Sequence, residues 1–81
     1  MTPKLTFYYH DECMMCADLK PIVLEFKDNL GIELINTYEN ELLVENLGIA
    51  FVPCLTIEDK NGLHKFVGPQ EIKEVLKKLV L

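Results

Sequence analysis

The hydrophobic period of this chain first changes, abruptly, at Cys13-Met14-Met15-Cys16, and that change restricts the fold more than any other feature. Before it, Lys4 to Tyr9 is apolar, aromatic and β-branched, which reads as a buried strand. Polar His10-Asp11-Glu12 breaks the run. After it, Leu19, Ile22, Val23, Phe26 and Leu30 recur at spacings of three and four, so Met14 to Leu30 predicts a helix with one apolar stripe. Gly31 ends that helix as a left-handed cap would. Pro21 is expected to kink it, because proline removes a backbone donor and crowds the preceding turn. Two cysteines are thereby set where a strand hands over to a helix.

Ile32 to Thr37 is a second short, strand-like run. Asn40 is placed to cap a short helix carrying Leu43 and Leu47 one turn apart and closed by Gly48. Strand, helix, strand in this order implies parallel pairing through a right-handed crossover. The organisation then changes. Cys54 to Glu58 and Leu63 to Val67 flank Asp59-Lys60-Asn61-Gly62, whose Asn-Gly is a turn signal, and predict an antiparallel hairpin. Gly68-Pro69 opens a last helix with proline at its tolerated first position. Ile72, Val75, Leu76, Leu79 and Val80 form its apolar stripe, while Glu71, Lys73, Glu74, Lys77 and Lys78 face water. The expected architecture is α/β in the order βαβαββα, with a central four-stranded mixed sheet and helices on both faces. One domain over residues 1–81 is expected, since autonomous domains run from roughly 50 to 250 residues.

Composition narrows the function classes. A hydrophobic share of 49% suits a packed globule and argues against disorder. No run approaches the roughly 20 apolar residues of a membrane span. Met1-Thr2-Pro3-Lys4-Leu5-Thr6-Phe7 lacks the basic-then-apolar pattern of a secretory signal, so for a full-length chain a cytoplasmic protein is expected; a monomer is expected as well. The formal net charge is −5 and arginine is absent, which does not support a nucleic-acid surface. Three cysteines, two of them close together, do not look like a secreted disulfide framework. A close pair in a reducing compartment is more often catalytic or metal-binding, the alternative being two reduced, inert cysteines.

The setting of the pair favours redox chemistry. Two cysteines three residues apart at a helix start can close a disulfide with little backbone movement. The first lies near unsatisfied backbone N–H groups and the positive end of the helix dipole, and both favour thiolate over thiol. Thiolate is the attacking species in disulfide exchange, so Cys13 is expected to be the nucleophile. Cys16, one turn into the helix and more buried, is expected to resolve the mixed disulfide. Asp11 and Glu12 oppose a further negative charge, which points to a moderately activated thiol.

The chain resembles the thioredoxin/glutaredoxin-like oxidoreductases along essentially its whole length. Three stretches carry the resemblance: Phe7-Tyr8-Tyr9-His10-Asp11-Glu12-Cys13-Met14-Met15-Cys16; Pro21, five residues after Cys16; and Leu47-Gly48-Ile49-Ala50-Phe51-Val52-Pro53 followed by strand, Asn61-Gly62, strand, Gly68 and a final helix. The resemblance implies a thiol–disulfide oxidoreductase that uses a redox-active Cys13–Cys16 disulfide and needs no prosthetic cofactor. It implies a cis peptide bond at Val52–Pro53, with the Val52 backbone pairing to a substrate chain and Pro53 shaping the groove. Its implied partners are a protein disulfide and an electron donor, either a thioredoxin reductase, glutathione or another dithiol carrier. Departures are informative. Glu12 and Met14-Met15 replace the tryptophan and Gly-Pro usual in thioredoxins, and Phe7 stands where they hold a buried acid. Val67-Gly68-Pro69-Gln70 lacks one glycine and the acid of the glutaredoxin segment that helps to hold glutathione.

Other residues carry two readings each. Met14 and Met15 form either a soft contact surface for substrate or a filled exposed turn. Cys54 is either a small buried apolar residue or a third thiol near the pair. His10 is a polar loop residue or a charge that tunes Cys13, and His64 on the hairpin is expected to be solvated. Two rival functions stay open: a non-catalytic interaction module with the same groove, and a zinc or iron–sulfur site at Cys13, Cys16 and Cys54, with or without His10. Zinc takes four N or S ligands at about 2.0–2.3 Å, and only three cysteines are present.

Overall fold

A computed structural model describes residues 3–79. Seven elements follow in the order β1 (Lys4–Tyr9), α1 (Met14–Leu30), β2 (Ile32–Asn36), α2 (Glu41–Asn46), β3 (Cys54–Asp59), β4 (Gly62–Val67) and α3 (Pro69–Leu79). The strands form one sheet in the order β2-β1-β3-β4. β1 and β2 pair in parallel, with Phe7 opposite Leu34. β3 runs antiparallel to both β1 and β4, with Phe7 opposite Leu55 and Leu55 opposite Phe66. This is the βαβαββα mixed sheet that the pattern of apolar runs predicts.

Strand alternation sorts the core into two faces. Leu5, Phe7, Leu55 and Ile57 point to the side covered by α1 and α3, where Leu19, Val23, Ile72 and Leu76 complete the main cluster. Tyr8 and Cys54 point the other way and form a smaller cluster with Ile49, against which Val44, Leu47 and Val52 pack. The second face is thinly covered, because α2 is six residues long and buries none of them.

Local chemistry moved several element ends. β2 stops at Asn36, one residue before the expected Thr37, because the Asn36 side chain accepts the Tyr38 N–H at 2.9 Å and turns the chain. Asn40 does precede α2, but its amide donates to the Asn36 carbonyl at 3.0 Å and makes no capping bond. Leu43, expected on the apolar side of α2, is 40% exposed. Both hairpin strands gain a residue at the turn, since Asp59 pairs with Gly62, whose φ of 119° suits only glycine. Asp59 also accepts the Asn61 N–H at 2.8 Å and faces His64 at 3.3 Å, which leaves that histidine exposed as expected. α1 continues through the exposed Pro21 to Gly31, whose φ of 65° closes it in the left-handed conformation. Of the α3 stripe, Ile72 and Leu76 are buried, Leu79 is exposed, and Val80 lies outside the described residues.

Candidate functional site

β1, an inner strand, ends at Tyr9, and the exposed turn Asp11-Glu12 carries the chain to Cys13 at the start of α1. Cys13 occupies the position that caps α1, with extended backbone angles of −90° and 112°. Its carbonyl accepts the Ala17 N–H at 3.1 Å, and its own N–H donates to the His10 carbonyl at 3.3 Å. Its sulfur takes the role that a serine or aspartate oxygen usually fills, accepting the Cys16 N–H at 3.1 Å. The thiol also points to the Val52 carbonyl, 3.9 Å away. Val52 is half-buried, and the Val52–Pro53 peptide bond is cis. A partly open sulfur therefore sits between a helix N-terminus and the backbone just before a proline.

Cys16 lies one turn on and is 2% exposed. Burial pushes its thiol up to about 12, and the neighbouring Cys13 adds to the rise. Both cysteines are free thiols here. After Cys13 the exposed side chains are apolar, Met14 83% and Met15 52% exposed, and Phe51, next to Val52, is 70% exposed, while the acidic Asp11-Glu12 turn precedes it.

The remaining candidates are distributed differently. Cys54 is buried among Tyr8 and Ile49 on the thinly covered face, away from α1, and burial pushes its thiol up too. Among the described residues no three His, Cys, Asp or Glu side chains converge to hold a metal, so Cys13, Cys16, Cys54 and His10 do not form the cluster a metal reading requires. The His10 ring stacks on Tyr38, with centroids 4.5 Å apart and planes 11° from parallel, and its buried Nδ1 has no partner. Phe7 is wholly inside the core, so no carboxylate stands behind Cys16 on that strand. Lys20, which sequence patterning did not single out, sits over the Tyr9 ring at 4.6 Å and helps to line a small pocket that reaches Cys16. Also unforeseen is a cavity of about 480 Å³ beside the Val52 loop, walled by Tyr38, Val44, Ile49 and Phe51 and floored in part by His10. Only the turn built by Asn36 brings Tyr38 over His10, and no motif in the sequence announces it.

Raised thiols have a consequence for stability. A thiol that ionises later in the folded state than in the unfolded chain holds its proton where the unfolded chain has lost it. Stability is then full below the unfolded value of about 8.5 and falls as pH rises above it. Cys16 and Cys54 both act in this direction. The urea midpoint of the reduced protein is expected to fall between about pH 8 and pH 11, and Cys54→Ala is expected to flatten that slope. A slope equal in wild type and variant would remove Cys54 from the account.

No family model matches the chain, and no curated protein sequence does either. Solved structures do. Thioredoxin 1 of Thermosipho africanus superposes with a TM-score of 0.78 at 25% identity, covering 94% of this chain and 89% of that one. Oxidised thioredoxin of Plasmodium falciparum gives 0.78 at 13% identity, over 99% and 83% of the two chains. Malassezia sympodialis thioredoxin gives 0.78 at 17% identity, over 95% and 76%. The architecture of this chain is the thioredoxin fold.

Proposed function

We propose that this chain, a member of the thioredoxin-like superfamily by its fold, is a thiol–disulfide oxidoreductase that reduces protein disulfides through Cys13 and Cys16. One observation carries the reading: a partly exposed Cys13 sulfur caps α1 and receives the Cys16 N–H at 3.1 Å, with the buried Cys16 thiol beside it. The N–H and the positive end of the helix stabilise negative charge on that sulfur, which an attacking or leaving thiolate requires. The adjacent Val52 carbonyl, 3.9 Å from the sulfur, is the backbone acceptor that an extended substrate chain would pair with. Apolar Met14 and Met15 give such a chain a soft surface to lie on.

The reaction balances on sulfur alone. The Cys13 thiolate bonds to one sulfur of the substrate disulfide, and the other substrate sulfur leaves with the electron pair. Cys16 gives up its proton and attacks Cys13, releasing the second substrate thiolate and leaving a Cys13–Cys16 disulfide. A dithiol carrier, a reductase or glutathione then supplies two electrons to restore both thiols.

Insulin reduction by dithiothreitol, followed as turbidity, tests the proposal. Wild type is expected to shorten the lag, and Cys13→Ser and Cys16→Ser to lie at the uncatalysed background, because a serine hydroxyl neither attacks nor bonds to sulfur. Mixed with a disulfide substrate in the absence of dithiothreitol, pre-reduced Cys16→Ser is further expected to retain that substrate as a covalent adduct on Cys13, visible as added mass. Wild-type activity no higher than the variants, with no adduct, would leave an interaction module as the better description.

A further inference from the structure

The cavity beside Val52 has no part in the exchange chemistry, yet it adjoins the place where a substrate chain would lie. Its walls are apolar: Tyr38, Val44, Ile49 and Phe51. Two carboxylates, Glu41 and Glu45, border it, and among the described residues no lysine does; the one basic side chain in its lining is the His10 imidazole, stacked on Tyr38. Spaced by four, those glutamates share one face of α2, so their charges act at the same place. A volume of about 480 Å³ is within the roughly 300–1,000 Å³ range of ligand sites.

We infer that this cavity is a specificity subsite that takes a lysine or arginine side chain of the substrate polypeptide, close in sequence to the cysteine under attack. The inference rests on the exchange reading above. Long basic side chains carry an aliphatic stem that prefers an apolar wall and a charged head that prefers carboxylates. This cavity offers both, with the Tyr38 ring as a further surface for a cation. Continuity with Val52, which lines the cavity and faces Cys13, sets the distance. In an extended peptide, side chains two residues apart share a face, so a basic residue two positions from the cysteine is the one that reaches it. The same charges disfavour acidic neighbours and the carboxylates of small acidic thiols.

Short peptides test this, each with one cysteine blocked as a mixed disulfide with thionitrobenzoate and with lysine, alanine or glutamate two residues before or after it. The Cys13 thiolate bonds to the peptide sulfur and coloured thionitrobenzoate leaves with the electron pair. Cys16 then displaces the peptide thiol and closes the Cys13–Cys16 disulfide. With reduced wild type, the better lysine peptide is expected to release dye about fivefold faster than its glutamate counterpart at low salt. That ratio is expected to fall below about twofold in Glu41→Gln/Glu45→Gln, and near about 0.5 M salt, where screening reaches only a few Å. Glu25→Gln/Asp28→Asn removes the same two charges from the exposed face of α1 and is expected to keep the full ratio. Equal release from all peptides, or equal loss of preference in both double variants, would overturn the subsite alone. Absence of release from every peptide would overturn the exchange reading and the subsite with it.

Discussion

Phe7→Ala is expected to remove about 3–5 kcal/mol of folding stability, the usual cost of deleting a fully buried phenylalanine and leaving a cavity behind. Phe7 is 0% exposed at the centre of the main core, paired with Leu34 on one neighbouring strand and Leu55 on the other. An 81-residue chain has little stability to spare, since native domains hold about 5–15 kcal/mol and small ones bury less of their surface. Each kcal/mol shifts the melting point by about 4–8 °C at this size, so the variant is expected to melt far below wild type or fail to fold at ordinary temperature. Urea and thermal unfolding measure it. Phe7→Leu, which keeps most of the apolar volume, is expected to lose much less. A loss under about 1 kcal/mol in Phe7→Ala would mean the surrounding side chains collapse into the space, contrary to a core held by strands on both sides and a helix above.

The same residue shapes the second large effect, which is kinetic. With an aromatic ring at position 7, no acid from β1 stands ready to take the Cys16 proton, while burial pushes that thiol up to about 12. Only the thiolate attacks, and its fraction rises tenfold per pH unit below the ionisation point. Release of a captured peptide from Cys13 is therefore expected to accelerate about a hundredfold from about pH 7 to about pH 9, provided capture itself is not limiting. Rapid mixing under single-turnover conditions, followed by acid quenching and mass analysis of the adduct, separates the two steps. A flat profile would show that a nearby group accepts the proton. Asp11 and Lys20, which line the small pocket reaching Cys16, would then be the residues to replace.

Much of the fold was legible because its strands and long helices are written in hydrophobic period. Leu5 and Phe7 against Tyr8, and Leu19 and Val23 against Ile72 and Leu76, are placed by spacing alone, since a slip of one residue would send them into water. The position of the cysteine pair was legible for a related reason: the period changes at Cys13, and a helix start is where a sulfur can meet free N–H groups. What spacing misses is side-chain bonding that outbids the regular pattern. Asn36 ends β2 early through the Tyr38 N–H, and Asn40 turns back to the Asn36 carbonyl when its type suggests a cap. Those two amides swing Tyr38 onto His10 and open the cavity lined by Glu41 and Glu45. Contacts of this sort join residues through a turn, and a turn leaves no periodic trace.

Cys54 sits across the sheet from the helix that bears the other two sulfurs. The β-layer thus stands as a partition between the Cys54 side chain and α1. A third thiol in so small a protein would otherwise invite scrambled bridges that lock the chain in dead ends. On the exchange chemistry proposed above, the strands would act as insulation, and the molecule would cycle between two states without wandering into a third.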